Sequence, residues 1–334
     1  MVKLKNDRLE IDIANHGAEV KRVYHLDYEL DYLWNSNPEF WARSSPVLFP
    51  VVGRLAEDTY LLNGKRYSLM QHGFAGDEWF DVLCRTDTKV WFELRSNAKT
   101  LEYYPYEFSL KIGYELFDET LAVKWEVTNL SEEVMPFSIG AHPALSTRLQ
   151  ADDQFGDYYL YFESSNGVET YRFDSKTNLI VDEKITIIDK LKFLPLNKEL
   201  FEEFPTLVVE GESAIALKSY NHDREVEIRF NGFPYVGIWS PINQEGHIAD
   251  FICLEPWYGM ADTVNEPQEL SSKKGIQLLQ SGETFEAMYT MTFKVKYVYC
   301  RIDDYFCHYF LLSLCYFLVI VMLYMQLVYL LDME

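Results

Sequence analysis

The chain has 334 residues, of which 48% are hydrophobic and 25% are charged, a composition that argues against a disordered protein. Acidic residues outnumber basic residues by 52 to 30, so the formal net charge is -22. A surface of that sign repels a phosphate backbone, which argues against nucleic acid as a partner. The five cysteines have no paired or CxxC spacing, and the N-terminal segment contains no apolar signal region. We therefore expect a cytoplasmic protein.

Alternation of apolar and polar residues, the pattern of half-buried strands, recurs along most of the chain. The clearest segments are 9–13, 108–116, 121–127, 226–230, 235–239 and 285–295. A polar turn at residues 118–120 separates the second of these from the third and predicts a β-hairpin. Helical periodicity is scarce, and residues 197–204 are the best candidate for even a short helix. The predicted fold class is all-β, and a large antiparallel β-sandwich is the expected architecture.

The C-terminal segment differs abruptly in composition from the rest of the chain. Residues 1–297 are predicted to form one domain, because no Gly-, Ser- or Pro-rich linker divides them, and residues 298–334 form a separate apolar tail. Residues 309–331 carry no charge, and their number matches a membrane-spanning helix. Basic residues on the N-terminal side would keep the domain in the cytoplasm if that helix inserted. A segment foreign to the domain is the interpretation we favour, and a membrane anchor or a buried helix are the alternatives.

Two histidines and one glutamate stand in surroundings that suit acid–base chemistry. His142 lies among small residues in the sequence GAHPA, and His72 precedes a glycine in the sequence QHGFA. Glu255 interrupts the apolar run FICLEPW, which otherwise reads as a buried strand. A carboxylate buried there requires a partner, or a raised pKa that serves a function. The alternatives are that the histidines are structural residues and that Glu255 belongs to a buried salt bridge.

Arg54 ends the apolar segment PVLFPVVGR and offers a fork of donors to hydroxyl groups or to a carboxylate. It is equally a candidate partner for Glu255. The sequence contains no GxSxG elbow, no P-loop and no GxGxxG after a strand. The histidines lack HxH or HExxH spacing, so we predict neither a metal nor another cofactor.

Four short motifs, taken together and in this order, resemble the aldose 1-epimerase family. They are PVVGR (50–54), QHGFA (71–75), GAHPA (140–144) and LEPW (254–257). The resemblance is to the LacX-like branch, which is associated with lactose-utilisation operons, and it covers residues 1–297. It implies a galactose mutarotase-like β-supersandwich with an open cleft and a sugar as the small-molecule partner.

The matched motifs also imply a role for each polar residue. His142 is expected to protonate the pyranose ring oxygen, and Glu255 to take the proton from the C1 hydroxyl group. Arg54 and His72 are expected to bind the substrate and to stabilise charge. Interconversion of α and β anomers requires one acid and one base on opposite sides of the hemiacetal, and no redox centre.

The aromatic side chains Phe74, Trp239 and Trp257 are expected to form an apolar floor under the sugar, although each could equally belong to the core. The expected substrate is a free aldohexose such as galactose or glucose. Typical galactose mutarotases place an aspartate in the cleft, and no aspartate matches by motif, because Asp223 lies in an unlike loop. The substrate therefore stays open. Alternatives are a hexose-phosphate mutarotase, which the lack of a basic cluster argues against, a non-catalytic sugar-binding or sensing protein, and a membrane-attached accessory protein.

Overall fold

The protein is built mainly from antiparallel strands joined by turns. A computed structural model describes residues 1–163, 167–174, 176–188, 192–263 and 267–295. Within them the strands are β1 (Val2–Lys5), β2 (Leu9–Ile13), β3 (Val20–His25), β4 (Leu30–Asp31), β5 (Val47–Leu48), β6 (Thr59–Leu62), β7 (Lys65–Ser68), β8 (Asp81–Arg85), β9 (Lys89–Arg95), β10 (Phe108–Phe117), β11 (Thr120–Asn129), β12 (Met135–Phe137), β13 (Ile139–Ala141), β14 (Ala144–Ser146), β15 (Tyr158–Phe162), β16 (Val168–Phe173), β17 (Ile180–Ile188), β18 (Phe193–Pro195), β19 (Leu207–Glu210), β20 (Ala214–Ser219), β21 (Arg224–Arg229), β22 (Tyr235–Trp239), β23 (Phe251–Tyr258), β24 (Gln277–Leu279) and β25 (Thr284–Val295). The helices are α1 (Ala98–Tyr103) and α2 (Lys198–Glu203). This architecture confirms the predicted all-β fold class.

The largest sheet contains nine strands in the order β18-β15-β20-β21-β25-β11-β10-β9-β8. At its centre β10 and β11 form the predicted hairpin, with a register that runs from Phe108 opposite Asn129 to Phe117 opposite Thr120. β25 pairs with β11 on one side and with β21 on the other. The long alternating segment near residue 290 is therefore an interior strand of this sheet.

The second large sheet carries the strands that matter for function. Its order is β19-β22-β23-β13-β5, and β14 also pairs with β23. The apolar run at 134–139 divides between two sheets, because β12 pairs with β24 whereas β13 pairs with β23 and β5. The change of sheet occurs at Ser138, whose N–H donates to the carbonyl of Pro50 over 2.8 Å. Smaller sheets are formed by β1 to β4, by β6 with β7 and by β16 with β17.

The main core lies between the two large sheets, and β23 separates it from the opposite face of the second sheet. Ile252 and Leu254 belong to the core cluster that also contains Trp125 and Met291 of the nine-stranded sheet. Successive residues of a strand point to opposite faces, so Glu255 and the other odd-numbered residues of β23 point away from that core.

The remaining sequence predictions have mixed outcomes. The predicted short helix is confirmed as α2, and the side chain of Asn197 caps it by accepting from the N–H of Leu200 over 2.8 Å. Residues Met1–Val295 form one compact unit. Among the described residues, no helix has both the length and the apolar character needed to cross a lipid bilayer. The apolar tail, 298–334, and the domain boundary placed at residue 297 lie outside the described residues.

Candidate active site

A cavity of about 320 Å³ lies on the face of the six-stranded sheet that points away from the main core. Side chains from β5, β22 and β23 contribute to its lining, together with loops that contain Arg54, His72 and His142. Six of the seven side chains predicted from the sequence line this one cavity. They are Arg54, His72, His142, Trp239, Glu255 and Trp257.

His142 and Glu255 meet because β13 pairs with β23. His142 directly follows β13, Glu255 lies within β23, and Gly140 stands opposite Trp257 in the register. His142 Nε2 lies 3.2 Å from Glu255 Oε2, and the two side chains are only 8% and 1% exposed. Among the described residues, neither His142 Nδ1 nor Glu255 Oε2 has an aligned hydrogen-bond partner. The contact is therefore a close approach of an acid and a base rather than a well-directed hydrogen bond.

Burial sets the proton affinity of both members of this pair. It raises the pKa of the Glu255 carboxyl group well above its ordinary value. It lowers the pKa of the His142 imidazole well below its ordinary value, and the nearby His72 and Arg43 lower that pKa further. Both directions favour the uncharged forms. When both groups are uncharged, the pair holds one transferable proton, carried by Glu255, and the imidazole can accept it.

Three rings surround the His142 imidazole. The Trp41 ring lies 4.7 Å away between centroids at an interplanar angle of 34°, and the Trp239 ring meets it edge-on at 5.5 Å. The His72 ring is also edge-on, at 5.5 Å. These contacts restrict the orientation of the imidazole, which a proton-transfer group requires.

His72 presents a neutral imidazole to the cavity. Burial lowers the pKa of His72 to about 4. The N–H of Gly53 donates to His72 Nδ1 over 3.1 Å, so this nitrogen carries no proton and Nε2 holds the ring hydrogen. The ring can therefore donate a hydrogen bond through Nε2 to a ligand in the cavity.

Glycines on two neighbouring strands make room for Trp257. A Cβ atom on Gly237 would lie 2.3 Å from Trp257 Cζ2, and one on Gly140 would lie 2.6 Å from Trp257 Cδ1. The indole consequently lies flat across β22 and β13, where larger residues would exclude it. This placement turns one ring face into part of the cavity wall.

Arg54 lines the cavity but does not pair with Glu255. Its Nε and Nη2 atoms each donate to one carboxylate oxygen of Asp58, both over 2.9 Å. The hypothesis that Arg54 neutralises Glu255 is therefore wrong. The reason is local, since Asp58 follows four residues later and accepts the guanidinium in a bidentate pair.

Phe74 is the predicted site residue that the structure places elsewhere. Its ring packs against Phe49 at 6.2 Å, Phe108 at 6.0 Å and Tyr104 at 6.5 Å between centroids. It is absent from the residues that line the cavity. Its neighbour His72 lies in the cavity, whereas Phe74 anchors the same turn to the main core.

Several residues that line the cavity were not predicted from the sequence. Trp41 and Arg43 come from an irregular loop and Asp77 comes from the turn after His72, whereas Asn178 precedes β17 and Thr206 precedes β19. None of them lies in an alternating segment or in a matched motif. Asp77 stands two residues beyond the QHGFA sequence, which is the one signal that pointed to it.

Cys253 brings a thiol close to the acid–base pair from the same face of β23. Potential ligand atoms of His142, Cys253 and Glu255 lie within 4.8 Å of one another, and zinc accepts such donors. Burial raises the pKa of the Cys253 thiol well above its ordinary value, and an ionised Glu255 would raise it further. The sulfur therefore keeps its proton at neutral pH and is a poor ligand. The chemistry of these donors favours proton transfer over metal binding.

Known proteins resemble this chain in sequence and in fold. The family model described as Aldose 1-epimerase matches residues 1–278, a region that contains all seven predicted site residues. Protein LacX, plasmid, of Lactococcus lactis subsp. lactis is 28% identical over 299 residues, which cover 87% of this chain and 98% of that protein. A galactose mutarotase related enzyme from Lactobacillus acidophilus superimposes with a TM-score of 0.82 at 29% identity, over 88% of this chain and 97% of the other. A galactose mutarotase-like protein from Lactobacillus casei ATCC 334 gives a TM-score of 0.81 at 31% identity, over 88% of this chain and 100% of the other.

Proposed function

Because the chain belongs to the aldose 1-epimerase family, we propose that it interconverts the α and β anomers of a free aldohexose by acid–base ring opening. The observation that carries the proposal is the buried pair formed by His142 and Glu255, whose side-chain atoms lie 3.2 Å apart inside the cavity. A sugar that enters the cavity meets one proton donor and one proton acceptor at the same place. Galactose and glucose are the substrates we propose first, because two structurally similar proteins are described as galactose mutarotase related or galactose mutarotase-like.

The proton balance of the reaction matches that of the pair. Transfer of the shared proton from Glu255 to His142 gives a carboxylate and an imidazolium. The carboxylate takes the proton from the C1 hydroxyl group while the imidazolium protonates the ring oxygen, so the C1–O5 bond breaks and an open-chain aldehyde forms. Rotation about C1–C2 exposes the other face of the carbonyl group. During ring closure the His142 imidazole takes the proton of the O5 hydroxyl group and Glu255 gives its proton to the carbonyl oxygen, so the number of protons on the pair is unchanged.

The other lining residues supply binding. His72 offers a hydrogen-bond donor through Nε2, and Arg54 offers the guanidinium hydrogens that its pairing with Asp58 leaves over. Trp239 and Trp257 offer apolar ring faces that suit the C–H side of a pyranose. No proton-transfer step requires a cofactor.

The charge of the cavity supports an uncharged sugar over a sugar phosphate. Arg54 is paired with Asp58, and the second lining arginine, Arg43, is paired with Asp77. Each guanidinium is therefore already balanced by a carboxylate, and a phosphate group would have to compete with it.

We propose that the reaction takes place in the cytoplasm, since the two cysteines among the described residues, Cys84 and Cys253, are free thiols.

Polarimetry tests the proposal directly. Freshly dissolved α-D-galactose, α-D-glucose and α-D-glucose 6-phosphate are followed to their equilibrium rotation with and without the full-length protein. We expect the free sugars to equilibrate faster, and Glu255→Gln or His142→Asn to lower turnover roughly a hundredfold or more. Glu255→Gln keeps the size of the native side chain, His142→Asn makes it smaller, and a thermal unfolding curve verifies that each variant is folded.

An unchanged rate with folded wild-type protein would reject catalysis. Sugar binding measured by calorimetry would then support the alternative of a non-catalytic binding protein. Acceleration restricted to the phosphorylated sugar would reject the free aldohexose as the substrate.

A further inference from the structure

We propose that Arg43 and Asp77 together bind hydroxyl groups of the sugar and thereby determine which aldose is preferred. This inference rests on the proposed mutarotase function and adds a specificity-determining pair to the same cavity. Both side chains line the cavity that contains His142 and Glu255. Neither has a role in the proton transfers described above.

Contacts with a backbone carbonyl and with a buried carboxylate hold Arg43 in place. Its Nη1 donates to the carbonyl of Gly76 over 2.9 Å and lies 3.9 Å from Glu19 Oε2. Glu19 is itself 4% exposed and accepts from the backbone N–H groups of Ser44 and Ser45 over 2.6 Å and 3.1 Å. The buried Glu19 carboxylate thus holds the loop that carries Arg43 through its backbone and forms an ion pair with the guanidinium.

Gly76 allows the guanidinium to lie against the turn that carries Asp77. A Cβ atom at position 76 would lie 3.2 Å from Arg43 Nη1 and 3.3 Å from the carbonyl oxygen of Val47. With glycine there, Arg43 Nη2 reaches Asp77 Oδ1 and forms an ion pair. The side chain of Arg43 is 30% exposed and that of Asp77 is 54% exposed, so the pair is anchored on one side and open on the other.

The donors and acceptors that remain suit a pair of neighbouring hydroxyl groups. Guanidinium has five N–H donors, and the contacts with Gly76 and Asp77 occupy only part of them. Asp77 uses Oδ1 toward Arg43, and its second oxygen has no hydrogen-bond partner among the described residues. One hydroxyl group can donate to Asp77 while its neighbour accepts from Arg43. The pair has no net charge, which fits a diol better than an anion.

The loop that carries Arg43 also approaches the acid–base centre. After burial and His72, the charge of Arg43 is a further cause of the lowered pKa of His142. Trp41, two residues before Arg43, has its ring 4.7 Å from the His142 ring. A pyranose whose C1 faces Glu255 therefore extends hydroxyl groups into the reach of this loop.

The test is to remove hydroxyl groups from the sugar and side chains from the protein in combination. kcat/KM is measured by polarimetry for galactose and its 2-, 3-, 4- and 6-deoxy analogues with wild-type protein, Asp77→Asn and Arg43→Gln. We expect each variant to lose about tenfold to a hundredfold on galactose, mainly through KM. For at least one deoxy sugar, kcat/KM with the wild type should lie far below the value for galactose, and the variants should lower the value for that deoxy sugar little further.

Arg148→Gln and Asp250→Asn are matched controls, because these residues form an Arg–Asp pair at 2.7 Å that is outside the cavity lining. Neither should change the deoxy-sugar profile. Equal kcat/KM for wild type, Asp77→Asn and Arg43→Gln would overturn the inference. A loss of the same factor on every analogue would overturn it too, because that result indicates a purely structural pair. If wild-type protein turned over none of the sugars, the proposed function itself would fail, and this inference would fail with it.

Discussion

His72 shows how one residue of the cavity is fixed by its backbone. Its φ is 69°, a left-handed conformation that few residues other than glycine adopt, and Gly73 follows with φ 72°. The N–H of His72 donates to the carbonyl of Gly53 over 3.0 Å, and the N–H of Gly53 donates back to the ring. These two hydrogen bonds hold the strained backbone conformation and the orientation of the ring together.

Acidification is expected to destabilise the folded protein through His72. The pKa of His72 is about 4 in the folded protein, below the value of about 6.5 for an unfolded chain. Between these values the unfolded chain binds a proton that the folded protein does not, so the free energy of unfolding falls as pH is lowered from 6.5 to 4. We expect His72→Asn to remove about 1 kcal/mol of the fall between pH 7 and pH 5, less than the full linkage value because the ring is partly exposed.

Urea denaturation at both pH values measures this effect. Asparagine tolerates the left-handed backbone, so the variant tests the titration rather than the turn. His247→Asn is the control, since that side chain is 69% exposed and lies outside the cavity. Identical pH dependence in wild type and His72→Asn would contradict a titrating role for His72. The fall that remains in the variant belongs in part to His142, whose pKa is lowered in the same direction.

Gly237→Ala is expected to displace the Trp257 indole. The added Cβ atom would lie 2.3 Å from Trp257 Cζ2 and could be accommodated only by a shift of a buried ring. Such overpacking typically costs about 1–3 kcal/mol, and the altered wall should raise KM more than it lowers kcat. Gly156→Ala is the matched control, because the nearest atom to its added Cβ is the Leu196 carbonyl oxygen at 3.9 Å. An unfolding temperature unchanged from wild type in Gly237→Ala would mean that the indole moves aside without cost.

At the scale of elements, β23 explains why some of the site could be predicted and some could not. Glu255 stands out in the sequence as the charged residue of an otherwise apolar run, and that run forms a strand as predicted. That His142 meets Glu255 depends on the pairing of β13 with β23, which joins residues more than a hundred positions apart. Periodicity within a segment does not specify such a partner. Here the matched motifs supplied what the periodicity lacked.

Loop residues were the least predictable part of the site. Arg43 and Asp77 approach each other because Gly76 leaves space between two loops. A contact between irregular loops produces no periodic pattern in the sequence from which it could be predicted. The same limit explains the error over Arg54. The buried carboxylate of Glu255 suggested Arg54 as its partner. Arg54 instead pairs with Asp58, which lies only four residues later in the chain. Local pairs are favoured because they order fewer additional residues.

The segment that follows β23 supports the cavity through a buried ion pair. The side chains of Asp262 and Lys273 are 2% and 1% exposed and form an ion pair. Asp262 also accepts from the N–H of Ala56 and from the side chain of Gln268, both over 3.0 Å, and its own N–H donates to the carbonyl of Arg54 over 2.9 Å. One carboxylate thereby ties the chain beside Arg54 to the chain after β23.

Lys273→Met is expected to lower the free energy of unfolding by about 3–5 kcal/mol, because it leaves the Asp262 carboxylate buried without its counter-charge. Chemical denaturation measures the loss. The double variant Asp262→Asn with Lys273→Met should recover part of it, since the uncompensated charge is then gone. Lys198→Met is a control for the loss of an ion pair at the surface, where its partner Glu202 is 51% exposed. A loss for Lys273→Met no greater than that of the control would contradict a supporting role for the pair.

At the scale of the whole molecule, the cavity exists only when distant parts of the chain have assembled. Its lining begins at Trp41 and ends at Ala261. The nine-stranded sheet contributes no predicted site residue, but it supplies the core that holds the six-stranded sheet in register. β25 belongs to the nine-stranded sheet and is the last strand of the described chain. It pairs with β21 as far as Val295, which stands opposite Arg224.

A chain that ends at residue 297 is therefore expected to keep both its stability and its activity. Every strand and every cavity residue named above lies before that point. The compact unit Met1–Val295 therefore keeps all of the strand pairings described above. Thermal unfolding and polarimetry of the shortened and full-length proteins should agree within error. A chain that ends at residue 283 is the control, because it lacks β25 and leaves β11 and β21 without their shared neighbour. That control should not fold, since an interior strand of the largest sheet is gone. A marked loss of stability or turnover in the 297-residue chain would mean that the apolar tail contributes to stability or to activity. That result would reject the predicted domain boundary.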